Sequence, residues 1–274
     1  MFALRRFFTN PIRNLIKEPG AMSIFRRVGF IGDSLSSGEH ESLNEENVKG
    51  FHDYYEYSWG QFIGRRCGLT AYNFSQGGLK AITFFQMIEA RPEMNPFVEE
   101  KRCQAYVIAL GVNDMNRLHD AENSYNGDFG TMDDVDWENE DNNKPSFVGQ
   151  YVRIIQKLRK FEPKCRIFVM NMPKEHPEDK TKKERYDRHA KFIRSLVKYF
   201  DFLYVIDLRK YSPIYGRRFG KKYFLGGHMS ALGYKMTADM VITYVDYIIK
   251  HNIEDFCQIG FVGKGGVHYS KRKW

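Results

Sequence analysis

The chain has 274 residues, of which 42% are apolar and 28% are charged, a composition typical of a soluble globular protein. Its 42 lysines and arginines outnumber its 34 aspartates and glutamates, giving a net charge of +8. These basic residues are scattered and accompany no nucleic-acid-binding motif, so we expect no nucleic-acid partner. No apolar run approaches the roughly 20 residues that cross a bilayer, and we expect no transmembrane segment.

The two ends of the chain differ in composition from its centre. Residues 1–26 are predicted to form a basic N-terminal arm, and the polar and proline residues after position 9 argue against a signal peptide. Residues 252–274 are rich in glycine and lysine and are predicted to form a tail. Residues 27–251 contain no repeat and no linker, so we expect one domain there.

Within this domain, the stretch of about 120–143 holds nine acidic residues and no lysine or arginine, and we interpret it as a solvated insertion.

The four cysteines are far apart and form no CxxC pair: Cys67, Cys103, Cys165 and Cys257. This spacing favours neither a metal site nor a disulfide framework. We therefore expect buried free thiols in a reducing compartment, and a cytoplasmic location.

Five short runs of apolar, β-branched and aromatic residues occur along the chain, and none alternates cleanly with polar residues. Such runs are typical of strands that are buried on both faces. The predicted strands are Arg27–Gly32, Ala71–Ser75, Ala105–Gly111, Arg166–Asn171 and Phe202–Asp207.

Segments of helical period separate these runs. Ser146–Lys160 carries one apolar stripe, and Thr181–Tyr199 and Ser230–Lys250 are further predicted helices, the last with Ser230 at the N-cap. Alternation of strands and helices predicts an α/β fold with a parallel, helix-covered sheet.

Polar residues and glycines follow the predicted strands at the edge where ligands bind in such sheets. Ser34 follows the first strand, Gly77 and Gly78 follow the second, and Asn113 follows the third. His228 lies in the loop before the last helix. Because the carboxyl ends of parallel strands share one edge, we expect these residues to meet there.

Four sequence blocks around these residues resemble those of the SGNH, or GDSL, hydrolases. They are GDSLS at 32–36, NFSQGG at 73–78, GVND at 111–114 and GGHMSALGY at 226–234. The resemblance extends over residues 27–250. It implies a three-layer α/β/α, flavodoxin-like fold with a five-stranded parallel sheet, and hydrolysis of esters without a metal or organic cofactor.

The resemblance also implies roles for single residues. Ser34 is the nucleophile, and its backbone N–H is one donor to the oxyanion of the tetrahedral intermediate. Gly78 supplies a second donor, with Gly77 as the adjacent alternative, and the side chain of Asn113 supplies a third. His228 is the base.

Other polar residues in these blocks are interpreted as structural. Asp33 and Asp114 are predicted to accept hydrogen bonds from backbone N–H groups of tight turns. Ser36 and Ser37 continue the turn that begins at Ser34.

The last block departs from the family in one respect. The family has an aspartate three residues before the histidine, but Leu225 stands there. Three explanations remain open at this point. The backbone carbonyl of Leu225 accepts from His228 in a Ser–His dyad, Asp207 at the end of the fifth strand supplies a carboxylate, or the enzyme is weak or inactive and binds acylated glycans.

The only sequence signal for the natural substrate is a group of aromatic residues. Aromatic residues soon after the Ser34 turn, with Tyr55 and Trp59 as the candidates, favour contact with a sugar ring, although Trp59 is equally well explained as a core residue. We therefore expect an esterase that removes a short acyl group, such as acetyl, from a carbohydrate or other small molecule. The other hypotheses are a non-catalytic glycan-binding module and an interaction protein whose basic ends bind an acidic partner.

Overall fold

The computed structural model describes residues 20–116, 128–257 and 259. Its centre is a sheet of five parallel strands in the order β4-β1-β5-β6-β8, which confirms the predicted fold class. Each observed strand overlaps a predicted one. The strands are β1 (Arg27–Gly32), β4 (Thr70–Ser75), β5 (Ala105–Ala109), β6 (Arg166–Met170) and β8 (Leu203–Ile206).

Short strand pairs lie outside this sheet. They are the antiparallel hairpin of β2 (Glu39–Leu43) and β3 (Lys49–Asp53), the parallel pair of β7 (Glu175–His176) and β9 (Tyr215–Gly216), and the antiparallel pair of β10 (Phe224–Leu225) and β11 (His228–Met229).

Helices connect the strands and cover the sheet. The α-helices are α1 (Ser34–Ser37), α2 (Trp59–Cys67), α3 (Phe84–Ala90), α4 (Val112–Asn116), α5 (Phe147–Phe161), α6 (Lys180–Ser195), α7 (Leu208–Tyr211), α8 (Arg217–Tyr223), α9 (Ala231–His251) and α10 (Ile253–Phe256). The short 3-10 helices are Gly20–Ile24, Tyr55–Tyr57, Ala81–Thr83, Pro92–Met94, Glu99–Lys101, Met132–Asp134, Glu140–Asn142 and Leu196–Lys198. Ser146 and Ser230 cap α5 and α9, in agreement with the sequence.

The core has two parts, one on each face of the sheet. Because side chains alternate along a strand, Phe30 packs against α2 and α9 while Ile31 packs against α5 and α6. Both faces bury large apolar side chains, which explains the continuous apolar runs in the sequence. Within the described residues, no helix is both long enough and apolar enough to cross a membrane.

Residues at the predicted domain boundaries belong to the domain. Met22 and Phe25 are fully buried in the core, and the backbone N–H of Ala21 donates to Asp246 at 2.7 Å. Phe256 is also buried. The predicted boundaries at 26/27 and 251/252 are therefore wrong for these residues, whereas the rest of the predicted arm and most of the tail lie outside the described residues.

The acidic stretch is also more ordered than predicted. Its first part lies outside the described residues, but residues 128–143 pack against α5, and Glu140 is buried. Its carboxylate accepts from Lys160 at 3.0 Å, and Asp141 pairs with Arg153 and Lys157. Glu140 and Asp141 therefore neutralise basic residues of a helix, while the other acidic residues of 128–143 stay exposed or half-buried.

The cysteine prediction holds for three of the four thiols. Cys67, Cys103 and Cys165 are buried, whereas Cys257 is exposed, and none of these four thiols forms a disulfide.

Candidate active site

The turn after β1 presents Ser34 at the carboxyl edge of the sheet. Asp33 caps it, since its side chain accepts from the N–H of Leu35 at 3.0 Å. As the first residue of α1, Ser34 has an N–H without an intrahelical acceptor. Gly32 is needed here because a Cβ would collide with the side chain of Ser36. Since α1 is a single turn of four residues, a ligand there would meet this local N–H group rather than a long helix dipole.

The loop after β4 supplies the second predicted oxyanion donor. Gly78 has φ +72°, a conformation that favours glycine, and an added Cβ would meet no atom within 4 Å. Gly77 faces a side chain instead, because a Cβ there would collide with Oε2 of Glu39. The structure therefore favours Gly78 as the residue that is open to a ligand.

Asn113 lies on α4 beside the same loop. Its Nδ2 donates to the carbonyl of Leu79 at 3.2 Å, which leaves the second N–H of the amide for a ligand. The neighbouring Asp114 accepts from the N–H groups of Ala81 and Ile82 at 3.0 and 3.4 Å. The structural interpretation of Asp114 is thus confirmed: it joins the loops that follow β4 and β5.

His228 begins β11, which contacts α1, so the predicted base lies on an element that contacts the turn carrying Ser34. Its Nδ1 lies 2.8 Å from Oε1 of Glu41. The same oxygen accepts from the N–H of Gly227 at 2.7 Å, and Oε2 pairs with Lys49 at 3.0 Å. Glu41, on β2, therefore holds the imidazole in place.

Neither of the two partners predicted for His228, Leu225 and Asp207, forms the hydrogen bond with its Nδ1. Leu225 pairs with His228 in the β10–β11 ladder and its side chain is exposed, but the Nδ1 hydrogen bond goes to Glu41. Asp207 caps α7 and pairs with Arg194 at 2.7 Å and with Asn171 at 2.7 Å. Both predictions are wrong, because a hairpin that was not predicted brings in a different carboxylate.

Two glycines make room for that carboxylate. Gly226 has φ +69°, and a Cβ on it would collide with Oε2 of Glu41. A Cβ on Gly227 would lie 2.8 Å from Oε1. The pair forms the two-residue connection between β10 and β11, a position that suits glycine in hairpins.

The hydrogen bond from His228 sets the charge of Glu41. It is the main reason that the pKa of Glu41 is lowered to about 2, with Lys49 and the Gly227 N–H adding to the effect. An ionised carboxylate at Nδ1 keeps the proton on that nitrogen, so Nε2 is the atom that accepts a proton from a nucleophile.

A second glutamate occupies the other side of the ring. Oε1 of Glu39 lies 2.9 Å from Nε2 of His228. Burial raises the pKa of Glu39, an effect that the positive charge of His228 opposes. Two acceptors at this distance require a proton between them. Glu39 therefore competes with Ser34 for Nε2 in this arrangement.

Of the two predicted substrate contacts, Tyr55 and Trp59, only Trp59 lines the cavity beside the Ser34 turn. Tyr55 donates to the carbonyl of Ala71 at 3.3 Å and does not line the cavity beside Ser34. Trp59 lines that cavity but is a buried core residue that packs on Phe30. An aromatic side chain that the sequence did not single out, Phe51, is 56% exposed, with its ring centroid 5.8 Å from that of His228.

The sequence contained one usable signal for the missed acid. Glu39 and Glu41 are two residues apart soon after the first block, so both point to the same face of a strand. In the described part of the chain, no group of three or more histidine, cysteine, aspartate or glutamate side chains is arranged to hold a metal ion.

Comparison with known proteins identifies the family of the chain. The model of the GDSL-like lipase/acylhydrolase family matches residues 30–236. The chain belongs to this family. It is therefore an enzyme that acts on ester bonds. No match is found among curated proteins.

Solved structures share the fold at low sequence identity. A family two carbohydrate esterase from Clostridium thermocellum, in complex with cellohexaose, is 16% identical, with a TM-score of 0.51 over 84% of this chain and 65% of that one. A family 2 carbohydrate esterase from Myceliophthora fergusii is 16% identical, with a TM-score of 0.53 over 82% and 67%. A putative GDSL-like lipase from Parabacteroides merdae is 15% identical, with a TM-score of 0.51 over 81% and 96%.

Proposed function

We propose that this hydrolase cleaves carboxylic esters through a Ser34–His228–Glu41 triad. The observation that carries the proposal is the contact of His228 Nδ1 with Glu41, because it supplies the orienting acid that the sequence lacks at position 225. An oriented imidazole beside a serine at a strand-to-helix turn is the arrangement that activates a hydroxyl nucleophile.

The reaction proceeds in two steps. His228 Nε2 removes the proton of Ser34 as its hydroxyl attacks the ester carbonyl, and the oxyanion accepts from the N–H groups of Ser34 and Gly78 and from the amide of Asn113. His228 then protonates the leaving alcohol. A water molecule, deprotonated by His228, hydrolyses the acyl-enzyme and releases Ser34. Glu41 stays ionised and stabilises the imidazolium in both steps.

We further propose that the alcohol is a carbohydrate. Exposed aromatic rings lie on the hairpin side of His228, among them Phe51, Tyr54 and Tyr57, and such rings stack on sugars. Resemblance to carbohydrate esterases of the same fold supports the proposal.

Hydrolysis of p-nitrophenyl esters by purified protein tests the reaction. Ser34→Ala is expected to lower kcat by at least about 10⁴-fold, since it removes the nucleophile. Ser36→Ala, a change of the same type in the same turn, serves as the matched control and is expected to retain activity within about tenfold, because a turn serine takes no part in the chemistry. Equal losses in both variants would refute the assignment of Ser34.

One contact favours a second candidate, a module that binds acylated glycans without turning them over. Glu39 occupies the atom of His228 that must accept the proton of Ser34. Equal rates of ester hydrolysis in the wild type and in Ser34→Ala, together with measurable binding of an acetylated oligosaccharide, would support this candidate over the esterase.

A further inference from the structure

A cavity of about 460 Å³ lies next to the turn that carries Ser34, and it is lined by chain neighbours of Ser34 and His228 rather than by those two side chains. The two neighbours of Ser34 in the chain, Asp33 and Leu35, line it on one side, and Gly226 and Gly227 line it near His228. From there it follows the carboxyl edge of the sheet past β5 and β6 to the start of α7, and α8 and β10 contribute to its wall.

The wall is mostly apolar, and most of its polar side chains are paired with other groups, whereas Oδ2 of Asp33 has no hydrogen-bond partner. Apolar lining residues include Leu35, Ala109, Met170, Met172, Leu208 and Phe224. Among the polar ones, Lys182 pairs with Glu175 at 2.5 Å, and Tyr186 donates to Asn116 at 2.9 Å. A wall of this kind suits a hydrocarbon chain better than the hydroxyl groups of a sugar.

The position of His228 decides which half of an ester enters the cavity. The leaving oxygen must approach Nε2 to be protonated, and Nε2 faces Glu39 on the hairpin of β2 and β3. None of the lining residues of the cavity comes from that hairpin or from β4. The leaving group therefore lies on the hairpin side, and the acyl group lies on the cavity side.

The volume of the cavity is much larger than an acetyl group needs. At roughly 30 Å³ for each carbon, similar to the volume of a water molecule, an acetyl methyl would fill less than about a tenth of the cavity. A chain of about six to ten carbons would occupy about 180 to 300 Å³ on the same scale. We propose that the cavity binds the acyl chain and that the enzyme prefers medium-chain acyl esters, from hexanoyl to decanoyl. This assignment rests on the proposed esterase function.

A glycine in the wall of the cavity offers a position where a large side chain can be introduced to fill the cavity. Gly220 lies on α8, and a Cβ built on it would meet no atom within 4 Å. Gly220→Phe therefore adds a ring in open space. Lys221 is the next residue of the same helix and is exposed, so Lys221→Phe adds the same ring outside the cavity and is the matched control.

The test is the rate of hydrolysis of p-nitrophenyl esters from acetate to laurate. In the wild type, kcat/KM is expected to rise by up to about fourfold for each added methylene as the chain is buried, and to reach a maximum between hexanoate and decanoate. Gly220→Phe is expected to lower the octanoate-to-acetate ratio of kcat/KM by about tenfold or more. Lys221→Phe is expected to keep the wild-type ratio.

Three results would overturn the assignment. A maximum at acetate that depends on Ser34 would refute the medium-chain preference and leave the esterase function intact. Equal ratios in the two phenylalanine variants would place the acyl chain elsewhere. A second series, of acetate esters with alcohols of increasing length, would refute the acyl orientation if the alcohol chain, and not the acyl chain, raised the rate. Absence of any Ser34-dependent hydrolysis would instead remove the esterase function itself.

Discussion

The turn after β1 and the hairpin that follows it each hold a carboxylate near Ser34 and His228, and the two carboxylates differ in charge state. Asp33 is buried, its Oδ2 has no hydrogen-bond partner, and desolvation raises its pKa to about 7. Glu41 is also largely shielded, but His228, Lys49 and the Gly227 N–H all bind it, and its pKa falls to about 2. Partners, rather than burial alone, decide which of two buried acids is ionised.

This difference explains why the acid of the sequence motif is not the acid of the triad. A carboxylate that orients a histidine must remain charged while the imidazolium forms. Glu41 meets this condition at any pH well above 2, whereas Asp33 is partly protonated near neutral pH. Asp33 shapes the turn instead.

The largest expected effect comes from removing the charge of Glu41. Glu41→Gln should lower kcat/KM by about 10⁴-fold, the scale of the aspartate-to-asparagine change in a serine protease triad, because the amide can donate to Nδ1 and favour the wrong tautomer. Steady-state kinetics with p-nitrophenyl esters measures it. Asp207→Asn is the control and should stay within about tenfold of the wild type. A larger loss in Asp207→Asn than in Glu41→Gln would reverse the roles assigned to the two acids.

A change at Asp33 should affect stability with a defined pH dependence. The pKa of Asp33 is higher in the folded protein than in the unfolded chain, so its favourable contribution to stability is complete below about pH 4 and is lost as the pH rises through about 7. Asparagine keeps the cap to Leu35 without a charge. Asp33→Asn should therefore stabilise the protein increasingly between pH 4 and pH 7, by at most about 4 kcal/mol at about 1.4 kcal/mol for each pKa unit.

Thermal unfolding of the wild type and Asp33→Asn across this range measures the difference in free energy. A constant difference from pH 4 to pH 8 would show that Asp33 is ionised throughout, as Glu41 is, and would remove the contrast between the two acids.

The smallest effect is expected at Glu39. Its contact with Nε2 must break before Ser34 can transfer a proton, and a net hydrogen-bond contribution of about 1 kcal/mol corresponds to about fivefold in rate. Glu39→Ala should therefore raise kcat/KM by about that factor. Glu45→Ala, an exposed glutamate between the same two strands, should leave it unchanged. A loss of activity in Glu39→Ala alone would mean that this carboxylate assists the reaction.

The residues that lie at the carboxyl edge of the sheet could be predicted from the sequence, because the signals for them are local. Each buried strand is a short apolar run, and Ser34, Gly78 and Asn113 come within a few residues of a strand end. Parallel pairing then places them at one edge. The placement of His228 could be predicted because its block adjoins a well-capped helix.

The hairpin was not predictable by the same reasoning. Its strands carry polar residues on both faces, so they lack the alternation that indicates a half-buried strand. The contact between Glu41 and His228 joins residues 187 positions apart in the chain, and no local period encodes it. The cavity likewise depends on how α8 and β10 fold over the sheet edge, and no local pattern in the sequence predicts it.

The glycine pair before His228 has a consequence for recognising related enzymes. With Glu41 seven positions after Ser34, nucleophile and acid belong to one short segment, and only the base comes from the far end of the chain. A search that requires an aspartate three residues before the histidine would class such a chain as incomplete. In this chain the pattern is instead a GDS turn followed by Glu-x-Glu on a hairpin, together with Gly-Gly-His, where the two missing side chains leave space for the carboxylate.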